Sequence, residues 1–215
     1  MKFRISHQLR TLAVVFIVFL VLCETLVFVV TTPHPSERFF QLYVLGSNEL
    51  VGDYYPNNDP NIYVGEQVEW YLGVTNDMGT VQYISILVKI GNQTIQSPND
   101  TSAVGSPAPV AIHFERFLQD NETWQFPLFW KILNATESRG VTQILVLEID
   151  NQTYQIPDWS ATNGYNFRMI FELWTWQTKL DAFGFGWPTS GKNSSVWLQV
   201  WFNTTTSVVP PPVQQ

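Results

Sequence analysis

From Leu12 to Val30 the chain reads LAVVFIVFLVLCETLVFVV, nineteen residues of which nearly all are apolar. At about 1.5 Å rise per residue they form a helix roughly 28 Å long, matching a bilayer's hydrocarbon layer. Such a stretch decides where everything after it must fold. Lys2, Arg4 and Arg10 precede it, whereas the chain beyond it carries eight basic residues against seventeen acidic ones. The positive-inside rule therefore predicts a cytoplasmic N-terminus and an extracellular remainder.

The run is long for a signal-peptide core, and no small-x-small cleavage site stands before Thr31, so it reads as an uncleaved signal anchor. Thr32-Pro33-His34-Pro35 then ends the helix, because proline lacks an amide donor and disfavours helical geometry in the residue before it. The expected organisation is a basic cytoplasmic lead at 1–11, a transmembrane anchor at 12–31, a neck at 32–38, an extracytoplasmic domain at 39–203 and a flexible tail at 204–215. Glu24 is the odd residue of the span, past its middle, where a carboxyl group is costly and usually faces protein. It either tilts protonated toward the outer headgroups, contacts a polar group on a partner helix, or relays a proton.

From Phe39 onward the apolar period changes to two. Val68, Trp70, Leu72 and Val74 alternate with Glu69, Tyr71, Gly73 and Thr75, and Ile84, Ile86, Val88 and Ile90 follow the Asn76-Asp77-Met78-Gly79 turn. This predicts a hairpin with one buried face. Further strands are expected at Phe39–Leu45, Val110–Phe117, Thr123–Leu133, Val141–Ile149, Phe167–Thr178 and Val196–Phe202. Gly91-Asn92 and Asp150-Asn151-Gln152 read as tight turns, Pro127 as an edge or bulge position, and Pro56, Pro60 and Pro98–Pro109 as loops. Short strands with such punctuation and no long helical pattern imply an all-β sandwich behind one transmembrane helix. With 45% hydrophobic and 15% aromatic residues the composition is that of a folding domain. Its only cysteine, Cys23, lies in the span, so packing and sheet hydrogen bonds must stabilise the outer domain.

Several blocks, in order, carry a resemblance: Phe40-Gln41-Leu42-Tyr43-Val44-Leu45-Gly46, Asp53-Tyr54-Tyr55-Pro56, Val64-Gly65-Glu66, Leu72-Gly73-Val74-Thr75-Asn76, Glu122-Thr123-Trp124 and Trp197-Leu198-Gln199-Val200. Over most of the outer domain the chain resembles the archaeal predicted membrane proteins catalogued as domain of unknown function 1616. The resemblance implies an archaeal cell surface and an immunoglobulin-like sandwich. It brings no established activity and no catalytic residue.

Seven N-x-[ST] acceptors, Asn92, Asn99, Asn121, Asn134, Asn151, Asn193 and Asn203, all follow the span and none has proline in the middle. They predict N-linked glycans on an exposed domain. Reactive chemistry is thinly represented. His7, His34 and His113 fall in separate regions, without the spacing of a zinc or facial-triad site. Asp53, Asp59 and Asn57-Asn58 could form a loose calcium loop, or simply an Asx-rich turn. No G-x-S-x-G elbow occurs, and carboxylate pairs such as Asp150 with Asp158 or Glu115 with Asp120 are what any acidic chain offers. We therefore expect no enzyme and no cofactor, and the acidic outer domain lacks the positive footprint that nucleic acid requires.

Trp174, Trp176, Trp197 and Trp201 sit at spacings that place each pair on one face of its strand, and with Leu198, Val200 and Phe202 inward the latter two face out. Loops and glycans, a neighbouring subunit or a stacked sugar could cover such a row. The expected function is a glycosylated structural or accessory subunit of an archaeal membrane or envelope complex, partnered by lipid and other membrane subunits. The alternative is a surface module that binds carbohydrate or another small ligand.

Overall fold

A computed structural model describes residues 7–31, 37–189 and 192–208. The apolar run lies in α1 (His7–Thr31), whose segment Arg10–Phe28 has a mean hydropathy of 2.7 and is long enough to cross a membrane. The described helix already includes Gln8, Leu9 and Arg10 of the expected basic lead, residues that all favour helix. It is described as far as Thr31; the neck prolines and His34 lie outside the described residues. From Arg38 onward the chain forms a separate β unit.

Among the described residues that unit holds β1 (Phe39–Leu45), β2 (Asn61–Val64), β3 (Gln67–Asp77), β4 (Gln82–Asn92), β5 (Val110–Leu118), β6 (Thr123–Ser138) and β7 (Val141–Ile149). It continues with β8 (Gln152–Thr162), β9 (Phe167–Gln177), β10 (Ala182–Phe185), β11 (Trp187–Thr189), β12 (Lys192–Ser194) and β13 (Trp197–Val208). One sheet runs β1-β3-β6-β7-β8 and the other β2-β13-β9-β4-β5, with β10 continuing along the β9 edge and β11-β12 forming a small hairpin. All these pairings are antiparallel except β2 with β13.

Between the sheets lies one aromatic-rich core. Trp70 meets Trp130 at 5.1 Å and Phe171 at 6.0 Å, and Phe202 meets Trp130 at 5.0 Å. The alternating sets read from sequence, Val68 to Val74 and Ile84 to Ile90, are both buried there. They do not form a hairpin, however. β3 pairs with β1 and β6, while β4 pairs with β5 and β9, so residues 78–81 carry the chain from one sheet to the other. A single inward face suits opposing sheets as well as one sheet, which is why period alone misplaced the partner. Buried Asn76 secures the crossing: its Nδ2 donates toward the carbonyls of Thr80 (2.9 Å), Leu118 (3.1 Å) and Gln119 (3.0 Å), and its Oδ1 accepts from the Met78 amide.

Asp150 and Asn151 form the expected two-residue turn between Ile149 and Gln152, both with the positive φ that a primed turn needs. Gly91-Asn92 is not a turn; both residues stay in β4 opposite Arg168 and Phe167. Pro127 lies in β6 before Trp130, the first residue paired to β7, so its missing donor costs nothing on that open side. The tail also departs from expectation, because β13 runs to Val208, Thr204 is buried, and its hydroxyl donates to Ile62 O at 2.9 Å. Residues 209–215 lie outside the described residues.

Candidate functional site

On β9, Phe167, Met169, Phe171 and Leu173 point into the core, so Arg168, Ile170, Glu172, Trp174 and Trp176 share the outer face. The register Trp197 to Glu172 and Trp201 to Arg168 places those tryptophans on that same face. All four predicted tryptophans therefore point away from the core. Yet Arg168, Ile170 and Glu172 are buried, because residues 93–109, the connection from β4 to β5, lie across them as a strap.

Charge and hydrogen bonding fasten the strap. Lys89 Nζ lies 2.9 Å from Glu172 Oε2 and donates to Ser106 O at 2.7 Å, while the Ser106 amide donates to Glu172 Oε1 at 2.6 Å. Trp174 Nε1 donates to the same carboxylate at 2.8 Å, and its ring lies 5.6 Å from the Lys89 ammonium. Gly105 is required at this crossing, since a Cβ there would meet Glu172 Oε2 at 2.6 Å. Arg168 donates to Ser97 Oγ (2.8 Å), to Gln199 Oε1 (2.6 Å) and to Ile95 O, and its guanidinium lies 5.0 Å from the Trp201 ring. Burial lowers the Arg168 pKa from its ordinary value. Asp100 in the strap accepts from Trp197 Nε1 at 3.1 Å and from Ser195 Oγ at 2.6 Å. Trp174, Trp197 and Trp201 are thus engaged by groups of the chain itself.

Trp176 belongs to a different group. It contacts Phe183 of β10 (5.3 Å) and Tyr83 of β4 (6.0 Å), and Tyr83 stacks on Phe117 of β5 at 4.3 Å. Phe183, Trp176, Tyr83 and Phe117 make a row across four strands, with Phe183 and Trp176 paired in register and likewise Tyr83 and Phe117. Tyr83 donates to Glu115, and that bond, with some burial, raises its pKa. Three of the four members escaped the sequence reading, because the row is assembled by cross-strand register rather than by spacing along one strand. The only local signal was that Tyr83 and Phe117 stand at outward positions of their strands. Next to the row a cavity of about 410 Å³ is walled by Trp176, Leu180, Met78 and Trp187, with Gln82 and Lys179 at its margin. Trp187 Nε1 is buried with no acceptor among the described residues.

The glycan acceptors divide by environment. Asn99, Asn121, Asn134, Asn151 and Asn193 are exposed. Asn92 and Asn203 are half-buried, and their amide nitrogens are occupied: Asn92 Nδ2 donates to Ser160 O at 2.8 Å and Asn203 Nδ2 to Asn61 Oδ1 at 3.2 Å. Glu24 is exposed on α1. Around Tyr54-Tyr55, Asp53 accepts from Asn48, and Asp59 accepts from the Asn61 amide nitrogens, an Asx turn leading into β2. Glu115 and Asp120 are engaged by Tyr83 and by the Gly79 amide, and the Asp158 side chain lies outside the described residues. Among the described residues no group of three His, Cys, Asp or Glu side chains is placed to hold a metal.

No family profile and no curated protein sequence matches the chain. Among solved structures, similarity is found to a beta-glucosidase from Listeria innocua in complex with glucose, at TM-score 0.35 and 11% identity. The same enzyme with gluconolactone gives TM-score 0.30 and 11% identity, and its D270A mutant with laminaribiose gives 0.30 and 10%. Each alignment covers 82% of this chain and 17% of the enzyme, so the chain spans about a sixth of those proteins' length.

Proposed function

We propose that the chain is a single-pass, N-glycosylated accessory subunit of an archaeal membrane or envelope complex, held by α1 with its β-sandwich outside the cell. The observation that carries this reading is Glu24, a carboxyl group on the exposed surface of an otherwise apolar span. A lone helix leaves that group facing hydrocarbon, a cost that a polar or basic group on a neighbouring helix removes. The sandwich is immunoglobulin-like in this proposal. Strands β13-β9-β4 opposite β1-β3-β6 follow the pairing of G-F-C against A-B-E, while β7 and β8 extend the second of these sheets. The archaeal setting is part of the proposal and rests on the sequence blocks that resemble domain of unknown function 1616.

Purification from native membranes in mild detergent tests the assembly. A defined set of membrane subunits should accompany the wild type and be lost from Glu24→Leu, with the protein still inserted. A wild-type protein that purifies alone refutes the reading. The cavity beside Trp176 favours a second reading, a small-ligand module, since aromatic walls with Gln82 and Lys179 at the margin suit a saccharide. Calorimetric titration with neutral oligosaccharides separates the two, because only a binder gives heat that disappears in Trp176→Ala.

A further inference from the structure

The aromatic row lies at one particular end of the sandwich. β1 begins at Phe39 opposite Asp77, and residues 78–81 lead directly into β4 at Gln82, beside Tyr83. Gln82 pairs with Leu118, and β9 reaches the same end at Trp176 and Gln177, where Ala182 and Phe183 of β10 pair with them. The row therefore belongs to the end at which the chain arrives from the neck. Exposed apolar side chains gather around it: Leu180 is 65% exposed, Phe117 63%, Val81 50%, and Phe39 and Trp176 38% each.

The neck itself is short. Its seven residues, 32–38, reach at most about 25 Å when fully extended. A span that ends at Thr31 therefore keeps Phe39 within that distance of the membrane surface. Trp and Tyr rings favour the layer between headgroups and hydrocarbon, where an apolar body and a polar tip are both accommodated. Tyr83, with its hydroxyl on Glu115, and Trp176 have that character, and Leu180 and Val81 add apolar tips beside them.

We propose that this end of the sandwich rests in the interfacial layer of the bilayer that holds α1, with Phe183, Trp176, Tyr83, Phe117, Leu180 and Val81 against lipid. The inference rests on the membrane-anchor reading and deepens it by naming a lipid surface as the row's partner. At the same end Glu122 is paired with Arg116 at 2.8 Å, and Lys179 accompanies Asp120 and Asp181, so the charges are mixed and a neutral headgroup is the better match.

Spin labels on the full chain in phosphatidylcholine vesicles test this. In a Cys23→Ala background, single labels are placed at Leu180→Cys and Val81→Cys, which leave all four rings intact. A further label at Glu137→Cys, exposed near the opposite end of β6, serves as the aqueous reference. The Leu180 and Val81 labels should lose collisions with an aqueous nickel chelate and gain them with dissolved oxygen, and adding Trp176→Ser with Phe117→Ser should reverse both changes. Nickel access equal to that at Glu137 overturns the proposal. Shielding from nickel and oxygen together also overturns it, and assigns the row to a protein contact. A fourth label at Leu20→Cys reads the anchor separately: if it too meets aqueous nickel, the membrane reading fails, and if only the outer labels do, the interfacial contact alone fails.

Discussion

Lys89→Met is the sharpest perturbation of the strap. It removes the ammonium from a pair whose side chains are 6% and 0% exposed, leaving the Glu172 carboxylate buried with two donors, the Ser106 amide and Trp174 Nε1. The Ser106 carbonyl loses its donor as well. Stranding one charge of a buried pair costs about 3–5 kcal/mol. For a chain of this size that lowers Tm by roughly 6 to 20 °C. The half-exposed pair Lys131–Glu148, 29% and 21% exposed, sets the comparison, and Lys131→Met should cost about 1 kcal/mol or less. Urea unfolding in detergent, followed by tryptophan fluorescence, measures both. The double variant Lys89→Met with Glu172→Met removes the stranded charge, so its cost should fall well short of the sum of the two single variants. If Lys89→Met costs no more than Lys131→Met, or if the two single costs add, the strap is not fastened by a coupled buried pair.

Glycopeptide mass spectrometry should find sugar at Asn99, Asn121, Asn134, Asn151 and Asn193, with Asn92 and Asn203 bare because their amide nitrogens are bonded inside the fold; glycans at both of the latter refute the assignment. Burial and the nearby Tyr54 push the Tyr55 pKa up to about 12, against about 10 for the unfolded chain, so the folded state keeps this proton longer. The resulting stability is complete below about pH 10 and is lost as pH climbs toward about 12. Above about pH 10 stability should therefore fall less steeply with pH in Tyr55→Phe than in the wild type, and equal slopes would count against it. Gly164 has φ +73°, and a Cβ there would come within 2.0 Å of Thr204 O, the residue that ties β13 to β2. Gly164→Ala should cost at least about 1–3 kcal/mol from backbone strain alone, and an unchanged urea midpoint would refute the close approach.

Strand positions were legible wherever one face alternates cleanly. β1 and β7 have the bounds read from sequence, because Phe39–Leu45 and Val141–Ile149 are each followed directly by turn-forming residues, Gly46 and Asp150. β8 was missed because the polar turn-forming residues at its start and Pro157 within it mask the alternation, and the register does skip from Gln155 to Trp159 there. β2 was missed for another reason. Four residues after Pro60 carry almost no periodic signal, and they form a strand only because β13 runs beside them. The site was less legible than the fold. The spacing points Trp197 and Trp201 outward and gives Trp174 and Trp176 only a shared face; the register puts all four on the outer side, but whether an outward residue meets solvent depends on what crosses above it, and the strap comes from a different part of the chain.

That covering explains why the outer face of β9 can be both polar and buried. Glu172 and Arg168 sit where an exposed sheet face would ordinarily carry solvated side chains, and both instead serve as anchors for residues 95–106. The strap begins where β4 ends at Asn92 and rejoins the sheet at Val110, both at the far end, so it closes over Arg168 and Glu172 and stops short of Trp176. Beyond its reach Phe117 stays 63% exposed, and the rings of the row meet face to face, as Tyr83 does with Phe117, or edge to face, as Trp176 does with Phe183. A row that served only to complete the core would be inward, and one that served only stability would gain more from being strapped like its neighbours. Its exposure at the end joined to the neck is what makes a second surface, supplied from outside the chain, the natural complement.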